Sequence, residues 1–341
     1  MDHATGRLME LLDRVDRLQR RHRALALPVA VSKRFGEHNG SQLAAVVSYY
    51  SFFSVFPLML SFVTILGIVL DDRDDLREDL IDGALGQIPV IGTQIADPDS
   101  PIGGSGWVLV IGLATAIWAG LGAVGALQRA LDELSDVPVH RRPNFVMKRV
   151  RSLGFLLLFA IGLAASTLMS NATTVFDIGW VVGALGLLIT LVIDIALLLT
   201  MFTVLPARRR PVLQLLPGAI AGAVGLVVLQ QLGSYVVRRF IAGASDTYGT
   251  FAVVIALLSW FHLVSRLVLL AAELNEVVRQ GLSPRRLLDG AEPTAADLRA
   301  AELDVQRIRR DPHGEPVTSA GDVEVPQQPA DLEQSLDRRA W

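Results

Sequence analysis

The chain has 341 residues, of which 51% are apolar, 19% charged and 6% aromatic, with a mean hydropathy of +0.44. Soluble domains carry about a quarter charged residues, so this composition excludes an ordinary cytosolic globule. The absence of cysteine excludes disulfides, thiolate metal sites and cysteine nucleophiles. The net charge of −3 averages long uncharged stretches against strongly charged ends, the distribution of an integral membrane protein with polar tails.

In chain order, segment 1–34 comes first, with Leu8, Leu11, Leu12, Val15 and Leu18 at helical spacing among arginines. It reads as an amphipathic helix that either rests on an anionic membrane surface or packs on the protein's own loops. Six apolar segments follow, at 42–70, 107–127, 153–176, 178–205, 212–237 and 250–272. Each reaches the ~20 residues needed to cross a ~30 Å hydrocarbon core as a helix. Pro57 near the middle of the first predicts a kink, because proline removes a backbone hydrogen bond. Between the first two, 74–85 has the spacing of a short amphipathic helix outside the membrane. Residues 279–341 turn polar and read as a mostly disordered tail, with a helical stretch at 295–310.

The loops give the orientation. One side of the six segments carries 20 Lys and Arg up to Arg286, the other only Arg73, Arg77, Arg238 and Arg239. Cytoplasmic loops are the basic ones, so both termini are expected inside. The fold class read from the sequence is thus an all-α six-transmembrane-helix bundle, with the membrane domain at 35–278.

Several short motifs recur at the segment ends: Ala45-Val46-Val47-Ser48-Tyr49-Tyr50-Ser51-Phe52-Phe53-Ser54-Val55-Phe56-Pro57-Leu58 in the first and Ala126-Leu127-Gln128-Arg129-Ala130-Leu131-Asp132 closing the second. Leu205-Pro206 closes the fourth, Leu216-Pro217-Gly218 opens the fifth, and Tyr248-Gly249-Thr250 and Ala271-Ala272-Glu273-Leu274-Asn275 bound the sixth. Together and in this order they resemble the YihY/virulence factor BrkB family of bacterial inner-membrane proteins, over roughly 33–278. Asp132 and Ala271 depart from it, standing where the family often has Asn and Gly. The resemblance implies a multi-pass protein of the bacterial plasma membrane. It also implies a family with a historical ribonuclease label, some of whose members are candidates for moving envelope lipids or other amphiphiles.

The residues suggest where such chemistry could sit. Tyr49, Tyr50, Ser51 and Ser54 place hydroxyls within about two turns of Pro57, either lining a polar cavity or bonding neighbouring helices. Asp194 and Arg266 are the acid and the base inside spans, each 16 residues from the outer end and so at ~24 Å depth. A charge near mid-bilayer costs at least ~2.5–3.5 kcal/mol, so the two are expected to pair within the bundle, as a structural ion pair or as a substrate or proton site. His262 and Glu273 share the helical face of Arg266, and the expectation is one cavity joining these groups to the first-span hydroxyls. Gln230 and Gln231 are expected to supply at least one interhelical bond. Asp132, Glu133 and Asp136 beside Arg141 and Arg142 read as surface electrostatics.

No Walker loop, Rossmann fingerprint, GxSxG elbow or paired-histidine metal motif occurs, and the six histidines are scattered. Neither an enzyme nor a cofactor is expected, and no nucleic-acid partner. Two readings stay open: a transporter or flippase-like protein acting on a lipid or other amphiphile without its own ATP site, or a membrane scaffold that organises envelope proteins.

Overall fold

The computed structural model describes residues 16, 19, 23–69, 106–137, 144, 146–159, 179–236, 245–286 and 292–310. The regular elements among them are all helical. They are α1 (Arg23–Glu37), α2 (Gly40–Val69), α3 (Gly106–Leu134), α4 (residues 146–159), α5 (Gly179–Val204), α6 (Val212–Val236), α7 (Ser245–Gln280) and α8 (Ala295–Arg310). Four stretches are long and apolar enough to cross a membrane: Val110–Leu134, Leu185–Val204, Val212–Gly233 and Val254–Gln280. At 30 residues α2 is ~45 Å long and carries Pro57 inside it. The expected third span, 153–176, is described only as far as residue 159, and the expected helices at 8–18 and 74–85 lie outside the described residues.

The burial pattern is that of a bundle in lipid. Trp118 is 72% exposed and Leu213 81%, whereas Gln128 and Glu273 are 0% exposed. Hydrocarbon tolerates the apolar surface and penalises unpaired polar groups, so the polar groups turn inward and the greasy ones outward.

α2 packs along α3, α7 lies against α1, α2, α3 and α6, and α6 separates α7 from α5 along much of their length. The core is made by Phe35, Ala44, Val47, Leu131, Leu134, Phe202, Leu205, Ala219, Ala223 and Leu269, concentrated at the end of the bundle where α1 enters. Small residues set the closest approaches, as their fourfold spacing suggests. A Cβ on Gly218 would collide with the Ala271 carbonyl oxygen, and one on Gly222 would lie 2.9 Å from the Ala271 side chain. Gly120 approaches Leu156 similarly, bringing α3 against α4.

α1 was not legible as part of the bundle. Its Ala26, Ala30, Val31 and Phe35 are buried, so the packed structure begins before residue 35. Past α7 the chain also stays attached. Gly281 takes φ +66° and Leu282 N–H donates to the Val277 carbonyl at 3.0 Å, a Schellman-type stop that turns Leu282 inward. The α8 start is a reciprocal cap: Asp297 N–H donates to Thr294 Oγ1 at 3.1 Å and Thr294 N–H to Asp297 Oδ2 at 2.9 Å. Arg285 ties this cap to α1, reaching Asp297 at 3.1 Å and both Glu37 carboxylate oxygens at 2.7 and 2.8 Å. Burial opposes ionisation of Asp297, but the Thr294 and Arg286 N–H groups, the Thr294 hydroxyl and Arg285 outweigh it and hold its pKa at about 2. Residues from Ala301 onward form a separate unit, described only through Arg310.

Candidate functional site

Two polar arrangements are built around the α2–α3 pair. The first is a buried latch at the α1 entry. His38 follows α1, and Asn39 at φ 52° turns the chain into α2. At the end of α3, Val137 N–H donates to the Asp132 carbonyl at 3.0 Å and Asp136 takes φ 52°, the left-handed position that follows many helices. That turn swings the Asp136 carboxylate back under the helix end. Its oxygens lie 2.7 Å from Arg34 Nη2 and 3.2 Å from His38 Nε2. From α7, Glu273 places Oε1 2.7 Å from His38 Nδ1 and Oε2 3.1 Å from Arg34 Nε, the latter within ion-pair range but not aligned as a hydrogen bond.

Both ring nitrogens of His38 therefore face carboxylates, which suits a doubly protonated ring donating on both sides. Burial works against the charge and Arg34 repels it, but the hydrogen bonds to Asp136 and Glu273 and the Glu273 charge prevail, raising the pKa to about 9. Among the described residues two basic groups thus meet two carboxylates.

The residues that carry the family resemblance close other helix ends. Gln128 donates to the Leu205 carbonyl at 2.8 Å, and Asp132 accepts the Ala207 N–H at 2.6 Å. Asn275 accepts the Gly218 N–H at 2.6 Å, where the missing side chain lets α6 and α7 touch. Glu276 pairs with Arg210 at 3.2 Å and with Arg279. Asp132 and Asp136 were expected on the surface. They are instead partners of the backbone and of the latch, because the turn after α3 folds back on its own helix.

The second arrangement is a groove of about 690 Å³ between α2, α3 and α4. Tyr49, Tyr50, Phe53 and Pro57 form one wall and Trp118, Ala119 and Gly122 the other. Tyr49 meets Tyr50 edge-on at 5.8 Å and Phe53 at 4.7 Å between ring centroids, so the wall is a packed aromatic strip. Neither tyrosine hydroxyl hydrogen-bonds a described residue. At the arginine-rich end the groove is bordered by Arg129, Lys148 and Arg149. The start of α4 is capped by Asn144, whose Oδ1 accepts the Met147 N–H at 3.1 Å.

The sequence candidates thus divide. Tyr49, Tyr50 and Pro57 share the groove. Ser54 instead donates to the Ser51 carbonyl at 2.7 Å, as Ser48 does to Ala45 at 2.8 Å, so these hydroxyls serve their own helix. The expected Asp194–Arg266 pair does not form. Arg266 is exposed with its guanidinium 5.9 Å over the Phe35 ring, and Asp194 Oδ2 is buried with no hydrogen-bond partner. Equal depth placed them together on paper, but α6 stands between their helices along much of the way. Glu273 turns to the latch, away from Arg266 and His262, and His262 is half-buried outside the latch. Gln230 and Gln231 are both exposed, contrary to the interhelical bond expected of them.

Comparison with known proteins agrees with this helical membrane architecture. The profile of the family described as Virulence factor BrkB matches residues 31–294. The chain belongs to the virulence factor BrkB family. The matched range extends the 33–278 of the sequence resemblance by two residues at its start and past the Arg285 anchor at its end. Among its relatives, YfkH of Bacillus subtilis (strain 168), named as a ribonuclease-like protein, is 24% identical over 267 residues, 72% of this chain and 93% of the relative. The inner membrane protein YhjD of Escherichia coli (strain K12) is 24% identical over 273 residues, 74% of this chain and 80% of the relative. No solved structure matches the chain. The BrkB membership, the YhjD likeness and the apolar helices together make this a membrane protein whose outer face contacts lipid.

Proposed function

We propose that this BrkB-family protein takes a lipid or other amphiphile into the groove between α2, α3 and α4 and moves it across the bacterial plasma membrane. The observation that carries the reading is the aromatic groove itself, with two phenol hydroxyls that no described residue satisfies. In hydrocarbon an unpaired hydroxyl is costly, and an amphiphile's polar part offers the acceptor while its chain lies on the Phe53 and Trp118 surface. Pro57 belongs to the same wall, where a missing backbone N–H leaves α2 locally deformable. Asp194 and His262, lying in spans outside the latch, are further candidates for coupling.

The reading includes six spans with both termini cytoplasmic, supported by the one-sided arginines. It also includes no enzymatic activity of its own. The ribonuclease-like name of YfkH is not carried over, because the sequence offers no nuclease motif. With no Walker loop, the driving force is an ion gradient or a partner protein.

The test is transbilayer exchange of a fluorescent lipid in liposomes holding the full chain, with and without an imposed ion gradient, beside Ala119→Phe, which fills the groove from its α3 wall. The native chain should exceed protein-free liposomes several-fold and the filled variant should fall back towards them. Equal rates in all three would sink the transport reading and leave the scaffold reading. A reporter fused after Gly281 that signals from the periplasm would overturn the topology.

A further inference from the structure

We infer that a second, apolar cleft between α1, α6 and α7 holds one phospholipid of the leaflet on the basic side of the protein, its chain in the cleft and its phosphate on Arg266. This site lies apart from the aromatic groove and does not rest on the transport reading.

The cleft has a volume of about 350 Å³. It is walled by Leu27 and Val31 of α1, Gly222 of α6, and Leu267, Leu270 and Leu274 of α7. No polar side chain lines it among the described residues. Such walls offer a ligand no hydrogen bond, so what fits them is a hydrocarbon chain.

The faces of α1 set its level in the membrane. Lys33 donates to the Arg286 carbonyl at 3.3 Å, and Glu37, one turn on, accepts from Arg285. Leu27, Val31 and Phe35, at intervals of four, form the opposite face. α1 therefore turns its polar face to the segment after α7 and its apolar face to the spans, the placement of an interfacial helix. A cleft beneath such a helix opens where headgroups give way to chains.

Charge decides the headgroup. Arg266 precedes Leu270 by one turn of α7, and Phe35 follows Val31 by one turn of α1, so the two continue the walls of the cleft at one end. There the guanidinium lies 5.9 Å over the Phe35 ring. Arg266 is exposed and has no ion pair among the described residues, since Glu273, two turns on, is turned to Arg34 and His38. It stands six residues before the end of the apolar run 250–272, ~9 Å along the axis, a distance a long basic side chain largely spans. A cation at this depth is costly without an anion. A lipid phosphate supplies one, and its oxygens suit the guanidinium fork. A helix from another protein would fill the apolar walls and leave the cation unanswered.

The experiment is native mass spectrometry of the full chain in neutral detergent, titrated with phosphatidylglycerol or with diacylglycerol of the same chains. The native chain should retain phosphatidylglycerol at least tenfold better. Arg266→Gln should lose that preference and Arg266→Lys keep most of it. Ala221→Phe, which fills the cleft from α6, should lower retention of both lipids. Ala119→Phe, in the aromatic groove, and Arg208→Gln/Arg209→Gln, an exposed basic turn, should keep the preference. Equal retention of the two lipids by the native chain, or a preference that survives Arg266→Gln, overturns the inference. Unchanged retention in Ala221→Phe removes the lipid from this cleft, and a preference lost in Ala119→Phe moves it to the aromatic groove. Loss in the Arg208/Arg209 control leaves only a general basic surface. Complete displacement by millimolar inorganic phosphate overturns the lipid and leaves a phosphate site. Thermal melts check that each variant is folded, and Arg266→Leu replaces the Gln variant should that one fail to fold.

Discussion

His38 donates from Nδ1 to the fully buried Glu273 carboxylate at 2.7 Å, joining residues 235 positions apart. One imidazole thereby fastens the α1–α2 turn to α7, and its other nitrogen reaches Asp136 beyond α3. The latch makes α1 part of the bundle and fixes the end of α3 from which Arg129 reaches the groove.

Stability should fall as the medium turns alkaline. His38 has a folded pKa of about 9 against an ordinary 6.5, so its contribution is full below about pH 6.5 and is lost as pH rises through about 9. A shift of that size corresponds to at most about 3 kcal/mol. The melting temperature in detergent should drop between pH 7 and 10, and His38→Gln should start lower and flatten the curve. A native profile as flat as the variant's would contradict a charged His38.

Breaking the latch from one side should be costly. Arg34→Leu or Glu273→Leu alone removes one charge from a buried cluster. The partner is left with a single contact among the latch residues, to His38 or to Asp136 respectively, a loss of up to about 3–5 kcal/mol. The double variant should recover part of that. Thermal melts of the three proteins decide it, and a double variant as unstable as the sum of the two singles would mean the pair is not coupled.

Asp194 and Arg266 should behave independently. Asp194→Leu relieves a buried unpaired carboxylate oxygen and should stabilise or leave unchanged, while Arg266→Leu removes only a contact with Phe35. Their double variant should be additive within ~0.5 kcal/mol. Coupling above ~1 kcal/mol in the cycle would show that the two meet after all.

The α6–α7 seam should not accept a methyl group. Gly218→Ala drives Cβ into the Ala271 carbonyl and the Asn275 side chain, so a loss of about 1–3 kcal/mol or more is expected. Asn275→Ala keeps the space but strands the Gly218 N–H, costing about 1–3 kcal/mol. If Gly218→Ala melts like the parent, the helices are not in contact at this point.

The sequence by itself determined the membrane class and the elements that carry it. Apolar runs of ~20 residues have few alternatives in water or lipid, so 107–127, 178–205, 212–237 and 250–272 all fall within or closely match observed helices. It also marked Gln128, Asp132, Gly218, Glu273 and Asn275 as motif residues, though not what they do. Tertiary structure alone decided the partners. Depth along a helix is readable from residue count, but facing is set by which helix packs beside which. Both α5, which carries Asp194, and α7, which carries Arg266, pack chiefly against α6 or other helices rather than on each other. The latch needed two left-handed turns, at Asn39 and Asp136, to bring Arg34, His38, Asp136 and Glu273 together from three parts of the chain. α1 was missed because a 15-residue amphipathic helix is too short to cross a membrane, and only packing against α7 gives its buried face a role. The groove joins Tyr49 and Tyr50 to Arg129, Lys148 and Arg149, residues far apart in sequence that meet because α2, α3 and α4 line one cleft.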